Sequence, residues 1–368
     1  MPTIIDAAIL YEPNQPFVIE KIQLKDPNEN EVLVKIVSTG VCHTDYSIQH
    51  IVPKPIILGH EGAGIVMEIG KNVSRVKPGD KVVLTFGSCG SCQCCIQGEQ
   101  AYCYNGKVFQ FSGKSADDAF TVENKNNNQI YASFFQQSSF ANYAIATERN
   151  VIKVNNDNIP LELLGPLGCG IQTGAGAVLN SLKVNTGNSL VVFGAGSVGL
   201  SAIMAANIVG CNNLVAVDIN NERLNIAQKL GATHIINSKN DNVIDKINEI
   251  TNGKGSDFSL ETAGTETTFK NAIDCLSNLG TCGIVTTPLK GQMFPFSPTS
   301  ILLGGKKLIG ILMGSSIPEI FIPKLINLYI KGKLPFDTFV KYYKFNEINQ
   351  AVEDSKKGKI IKPILLMD

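Results

Sequence analysis

Leu190-Val191-Val192-Phe193-Gly194-Ala195-Gly196-Ser197-Val198-Gly199 decides the fold. Its first four residues are apolar and read as a buried strand. The six that follow fit G-x-G-x-x-G, a weak signal alone but a strong one between an apolar strand and a helix-length segment. Gly194 makes the tight turn, Gly196 lets the backbone approach a pyrophosphate, and Gly199 lets helix and strand pack closely. The diphosphate then meets the positive end of the helix. The next strand, 214–218, ends at Asp218, 19 residues beyond Gly199. An acid there accepts hydrogen bonds from both hydroxyls of an adenosine ribose and repels a 2′-phosphate, which favours NAD over NADP. The competing reading is a glycine turn in some other α/β protein. Strand, turn, helix, strand and acid in that order argue against it.

Outward from this motif, strands alternate with helices from about Gln172 onward. Strands are expected at 190–193, 214–218, 234–236, 258–261, 283–286 and 307–312. One helix, 220–230, opens with Asn220 as N-cap and stops at Gly231. Such alternation predicts a doubly wound parallel sheet with helices on both faces. Residues 190–210 carry no charge and are long enough to span a membrane. They are rich in small residues and read better as buried strand, glycine turn and buried helix.

Upstream the chain is β-rich. Apolar and β-branched runs at 32–37, 64–69 and 81–84 are separated by the turn signals Lys71-Asn72 and Pro78-Gly79-Asp80. Residues 105–129 are polar and predict a long loop or insertion, with the Asn- and Lys-rich stretch 124–128 as its exposed tip. Residues 317–368 predict two helical segments and a terminal strand, 363–367, in a tail that returns to pack on the first domain. The expected domains are 1–171 with 313–368, and 172–312.

Hydrophobic residues make up 44% and charged residues 17% of the 368, the balance of a folded chain with a sizeable core rather than a disordered one. Lys plus Arg equals Asp plus Glu at 32 each, so no basic field exists to attract nucleic acid or a membrane surface. Residues 1–10 carry no basic cluster followed by an apolar core, so no signal peptide is expected. Ten cysteines in so large a chain then point to a reducing cytoplasm rather than to disulfides.

Five of the ten cysteines lie between Cys89 and Cys103. Cys89, Cys92, Cys95 and Cys103 have the spacing that lets one loop wrap four thiolates around zinc, leaving no open position, which is a structural site. Cys94 interrupts that spacing and reads as a free thiol. A second group, Cys42, His60 and Cys169, would leave zinc a fourth position for water or substrate. Spacing does not bring those three together. A lone buried cysteine is usually a small hydrophobe, and a lone histidine is usually a hydrogen-bonded core residue.

The motifs Gly40-Val41-Cys42-His43-Thr44-Asp45, Gly59-His60-Glu61-Gly62, the four-cysteine loop, Gly168-Cys169-Gly170 with Thr173, and the dinucleotide turn together resemble the zinc-dependent alcohol dehydrogenases of the medium-chain dehydrogenase/reductase family. The resemblance runs over essentially the whole chain. Residues 163–174 and Phe134-Phe135-Gln136-Gln137-Ser138-Ser139-Phe140 are most similar to the aryl- and allylic-alcohol dehydrogenases, the benzyl alcohol and geraniol type.

This resemblance implies a β-rich GroES-like catalytic domain and a Rossmann domain inserted into it. It implies two zinc ions per chain: a catalytic one on Cys42, His60 and Cys169, and a structural one on Cys89, Cys92, Cys95 and Cys103. Glu61 would lie behind the metal, and Asp45 would orient His60. Thr44 would hydrogen-bond the substrate oxygen. His43 and Lys362 would approach the cofactor diphosphate, Arg223 the adenosine ribose, and Thr173 the nicotinamide. The implied reaction is reversible oxidation of a primary aromatic or allylic alcohol to the aldehyde, with hydride transfer to NAD. A homo-oligomer is implied, a tetramer rather than a dimer.

Many relatives end their proton relay with a histidine at the position of Ser47. Here the relay ends in water or at His50, which otherwise reads as an exposed loop residue. Alternatives are an S-(hydroxymethyl)glutathione dehydrogenase or a general alcohol dehydrogenase of the same family, a zinc-ribbon nucleic-acid binder, and a catalytically inactive NAD-binding sensor. Residues 48–58 are short and contain no acid, which argues against the glutathione adduct. The neutral charge argues against nucleic acid, and intact Cys42, His60, Cys169 and Thr44 argue against a dead sensor. Phe86, Phe140 and Met313 are candidate pocket residues.

Overall fold

The computed structural model describes residues 3–123, 129–156, 158–286, 293–294 and 296–367. The chain forms two compact units. One gathers Met1–Cys169, Ile317–Asn327 and Asp337–Asp368; the other gathers Gly170–Ser316 and Leu328–Phe336.

The first unit is built on two sheets. In the larger, Glu31–Gly40 pairs antiparallel with Gly62–Ile69, Tyr143–Thr147 and Lys362–Leu366. Lys81–Leu84 and Val151–Lys153 extend one side, and Val340–Lys344 the other. Alternation places Val32, Val34 and Ile36 on one face of the central strand, where they bury against Val66, Val82, Leu84, Ala144 and Ala146. The terminal strand returns to this sheet from the far end of the chain, registering Ile364 against Gly40. A smaller sheet joins Thr3–Leu10, Val18–Leu24 and Ile56–Ile57 to the strands Val122–Glu123 and Gln129–Ile130.

Those last two strands correct one expectation. Residues 105–129 are not a structureless loop: Gly106–Phe111 is helical, and the strands at 122–123 and 129–130 pair with each other. Val122 and Ile130 are completely buried, so a few apolar residues anchor an otherwise polar segment. The proposed tip, 124–128, lies outside the described residues.

The second unit is a six-stranded parallel sheet. Its order is His234–Asn237, Asn213–Asp218, Ser189–Phe193, Ser256–Glu261, Leu276–Ile284 and Lys307–Gly310. Order therefore reverses on either side of Ser189–Phe193, the place where such sheets open a binding crevice. Leu190 and Val192 are as buried as Val191 and Phe193, because helices cover both faces. Asn220 caps the helix Asn221–Lys229 by accepting from the N–H groups of Glu222 and Arg223.

The strand expected at 283–286 runs instead from Leu276 to Ile284. Its early residues, Ser277-Asn278-Leu279-Gly280, look like a turn and form an irregularity in the pairing: Leu276 registers with Ser256 before them and Thr281 with Phe258 after them. The last strand stops at Gly310, short of the expected 312. Residues 190–210 are strand, turn and helix as read. Among the described residues no helix is long and apolar enough to cross a membrane.

Candidate active site and metal centre

Three separate stretches of the first unit converge on one buried point. Cys42 precedes the short helix His43–Ser47, His60 follows the strand Ile56–Ile57, and Cys169 follows the turn Gly165–Gly168. The sulfurs of Cys42 and Cys169, one ring nitrogen of His60 and a carboxylate oxygen of Glu61 all lie within 4.8 Å of one another. Convergence of the three residues, which spacing left open, is thus a property of the fold.

Asp45 organises this point. One of its oxygens accepts from His60 Nδ1 at 2.8 Å and from the Gly59 N–H at 3.1 Å. The other accepts from the Cys42 N–H at 2.9 Å. With Nδ1 taken, the ring's second nitrogen, Nε2, is buried and has no hydrogen-bond partner. A buried nitrogen left bare beside two sulfurs fits a metal ligand, since an unsatisfied buried polar atom is otherwise costly.

The electrostatics agree. A hydrogen bond from Cys169 holds the Cys42 thiol well below its ordinary range against burial, helped by His60 and Lys362. That same bond, with burial, pushes Cys169 well up. Burial opposes a charge on His60, but Asp45 and Cys42 raise its pKa well above the ordinary value. The metal-free site therefore keeps protons where zinc would sit, and binding would release them.

Lys362 is drawn inward and is 2% exposed. Its Nζ donates to both oxygens of Glu61, at 3.0 and 2.9 Å, and to Val41 O at 3.4 Å. Three partners occupy the three N–H groups of a lysine, and the buried Glu61 charge is what draws it in. Burial nonetheless pushes the Glu61 carboxyl up to about 7, with Lys362 opposing.

Thr44 Oγ1 lies 3.8 Å from Cys42 Sγ. His43 is exposed and packs edge-on to Tyr46. His50 is also exposed, with its Nε2 3.1 Å from Asn14 Nδ2, the loop position that the plainer reading expected. Phe86 and Phe140 are ordinary core: Phe140 is fully buried and meets Phe17 edge-on at 5.6 Å. Met313 belongs to the second unit and is buried there.

Sequence reasoning missed the aromatic wall beside the ligand group. Phe135 stacks on the His60 ring at 4.5 Å and 26°, and Phe134 meets it edge-on at 5.4 Å. Phe111 packs edge-on against Phe135. The segment stood out only as a resemblance, because nothing in the order Phe-Phe-Gln-Gln says which ring it faces.

The cysteine loop forms a second cluster. Cys89, Cys92, Cys95 and Cys103 have ligand atoms within 4.8 Å of each other, without Cys94. Cys89 and Cys95 sulfurs are 4.0 Å apart, and those of Cys92 and Cys103 are 3.9 Å apart. Tetrahedral zinc–sulfur bonds of about 2.3 Å give sulfur–sulfur edges of about 3.8 Å, so the cluster fits the ion. Against burial, the N–H groups of Ser91 and Cys92 bring the Cys89 thiol down to about 5, ready to ligate as thiolate.

In the second unit, Gly194 turns with φ +97°, a conformation other residues resist. A side chain at Gly199 would strike the Gly194 carbonyl, whereas nothing lies within 4 Å of where one would stand at Gly196. The first crowding is helix–strand packing, and the open space is room for a pyrophosphate. Asp218 ends its strand with one oxygen accepting from the Ala195 N–H at 2.7 Å and the other from the Asn220 N–H at 2.9 Å. It thereby ties the glycine turn to the next helix. Arg223 stands in the first turn of that helix, and Thr173 is buried in the helix Gly170–Gly176.

Comparison with known proteins agrees with this layout. Residues 28–156 match the alcohol dehydrogenase GroES-like domain and residues 197–329 the zinc-binding dehydrogenase domain. The chain is 40% identical to geraniol dehydrogenase of Castellaniella defragrans over 98% of its length and 97% of the relative's. It is 45% identical to the crystal structure of benzyl alcohol dehydrogenase from Acinetobacter calcoaceticus, with TM-score 0.95 and 100% of both chains covered. An alcohol dehydrogenase zinc-binding domain protein from Burkholderia ambifaria is 47% identical, with TM-score 0.97 and 100% of both chains covered. A GroES-like domain joined to a Rossmann domain, carrying paired cysteine clusters, makes the chain an oxidoreductase that belongs to the zinc-dependent alcohol dehydrogenases of the medium-chain dehydrogenase/reductase family.

Proposed function

We propose that this enzyme oxidises a primary aromatic or allylic alcohol to the aldehyde, reversibly, with NAD as hydride acceptor. The observation that carries it is the bare, buried Nε2 of His60 beside two cysteine sulfurs, with the Phe135 ring stacked on the same imidazole. That arrangement pairs a metal site with an apolar aromatic surface, which suits a substrate whose carbinol carbon adjoins a π-system. The relatives named for geraniol and benzyl alcohol support the same substrate class.

Cys42, His60 and Cys169 hold the catalytic zinc in this reading, and Cys89, Cys92, Cys95 and Cys103 hold the structural one. Zinc bound at the first site would supply the positive charge that lowers the alcohol's pKa and steadies the oxygen as hydride leaves. Asp45 keeps the His60 ring oriented, and Glu61 lies behind the ligand group with Lys362 neutralising it. Thr44 Oγ accepts the proton of the substrate hydroxyl and passes it toward solvent. In the cofactor unit the glycine turn receives the diphosphate and Asp218 the adenosine ribose, with Arg223 beside it.

The test is NADH absorbance with a panel of alcohols. Benzyl alcohol, cinnamyl alcohol and geraniol should be turned over far better than ethanol, and with NAD rather than NADP. Turnover confined to formaldehyde with glutathione would overturn the substrate class. Absence of turnover in protein holding two zinc ions per chain would favour the inactive NAD-binding sensor.

A further inference from the structure

The turn between Phe134 and Ser138 adopts a backbone its residue types resist. Phe135, Gln136 and Ser138 have φ of 51°, 55° and 47°, the left-handed region, and none is glycine. Each such residue costs on the order of 1–3 kcal/mol and persists only where its surroundings over-determine it. All three are buried, so no solvent-exposed loop freedom explains them.

Gln136 donates to Phe109 O and Lys114 O, and Ser138 to Ile57 O, whereas Gln137 and Phe135 make contacts to His60. The Gln137 side chain is completely buried, and its amide is fully used. Nε2 donates to the carbonyl of His60 at 3.0 Å and to that of Thr85 at 3.0 Å, while Oε1 accepts from the Gly62 N–H at 3.1 Å. One side chain thus grips the backbone of His60 and, beyond Glu61, that of Gly62. Ser139 N–H donates to Gly59 O at 2.9 Å, closing the other side. A side chain at Gly59 would strike Phe140, and one at Gly62 would strike Ser139, so both glycines around His60-Glu61 are fitted to the two residues that follow this turn. Phe135 then fixes the plane of the imidazole by stacking, and Phe134 blocks its edge.

We infer that the 134–138 turn is the template that positions His60: Gln137 sets the ligand's backbone and Phe135 sets its ring plane. Both are positioning residues, acting through His60. The inference rests on the reading of Cys42, His60 and Cys169 as zinc ligands. It implies that the strained turn is retained because it presents Nε2 in a fixed direction. Removing the grip should loosen the metal before it loosens the fold.

The experiment measures zinc per chain in the intact holoenzyme, then its transfer to a chromophoric chelator. Wild-type protein should hold two zinc ions, one released in step with the loss of turnover and one released later from the cysteine loop. In Gln137→Leu, the turnover-linked zinc should leave about 10–100-fold faster, the effect expected for a lost outer partner of a metal-bound histidine. The later phase should be unchanged, which distinguishes positioning from general destabilisation. Phe135→Leu keeps an apolar side chain and removes the stacked plane; it should also speed the first phase alone. It serves as the second variant should Gln137→Leu fail to fold. Wild-type release rates in a folded variant, or equal acceleration of both phases, would overturn the inference. Wild-type protein with zinc in the cysteine loop only would instead overturn the ligand reading beneath it.

Discussion

Single side chains set the chemistry here, and two substitutions expose how. Thr44 carries a hydroxyl 3.8 Å from the Cys42 sulfur. Thr44→Val keeps shape and volume but removes that hydroxyl. Turnover should fall at least about 100-fold, the low end for a positioned proton acceptor, with zinc content unchanged by atomic absorption. Retained activity would remove Thr44 from the reaction. Asp218 binds the glycine turn through the Ala195 N–H, and it is the residue proposed to receive the adenosine ribose. Asp218→Gly should therefore weaken NAD and also relax discrimination. The expected result is kcat/KM for NAD down at least about 10-fold, the loss of a charge-assisted hydrogen bond, with the NADP-to-NAD ratio raised. An unchanged ratio in steady-state kinetics would show that Asp218 organises the turn without reading the ribose. The four-cysteine loop and the dinucleotide turn are legible because each is a residue type at a telling spacing, whereas Cys42, His60 and Cys169 come together only through the resemblance and the fold. Nor is the Lys362 ion pair legible: its Glu61 partner is 301 positions away, and only the returning strand brings them together.

Helices and strands were legible in proportion to how local their causes are. Asn220 reads as an N-cap and is one, accepting from Glu222 and Arg223. Asn220→Ala should cost about 1 kcal/mol, seen as a lower urea midpoint with an unchanged slope. An unchanged midpoint would mean that tertiary packing alone holds this helix. The strand Leu276–Ile284 was read several residues late because its register comes from the neighbouring strand, not from its own turn-like start. The left-handed turn at 134–138 was invisible for a related reason. Phe, Gln and Ser carry no signal for positive φ, which here is imposed by what the turn must reach. The low apolar content of residues 105–129 predicts a long loop or insertion and hides the strand pair there, because Val122 and Ile130 alone suffice to seat it in a sheet.

Over the whole molecule, the proposed metal ligands and the dinucleotide turn fall in different compact units. Cys42, His60 and Cys169 all lie in the unit ending at Cys169, while Gly194–Gly199 and Asp218 lie in the one beginning at Gly170. Each site is also held from within its own unit: Asp45, Gln137 and Lys362 serve the first, and Asn220 and the Ala195 N–H serve the second. Neither set of partners depends on the other's ligand. Metal binding and cofactor binding should then be separable. Dialysis against a chelator should strip the zinc proposed at Cys42, His60 and Cys169, and faster as the pH falls, because protons compete with the metal for the same atoms. Turnover should vanish while NADH fluorescence enhancement persists, and added zinc should restore activity. Should NADH binding disappear together with the metal, the dinucleotide site would depend on zinc for its shape, and the independence read from the two hydrogen-bond networks would be wrong.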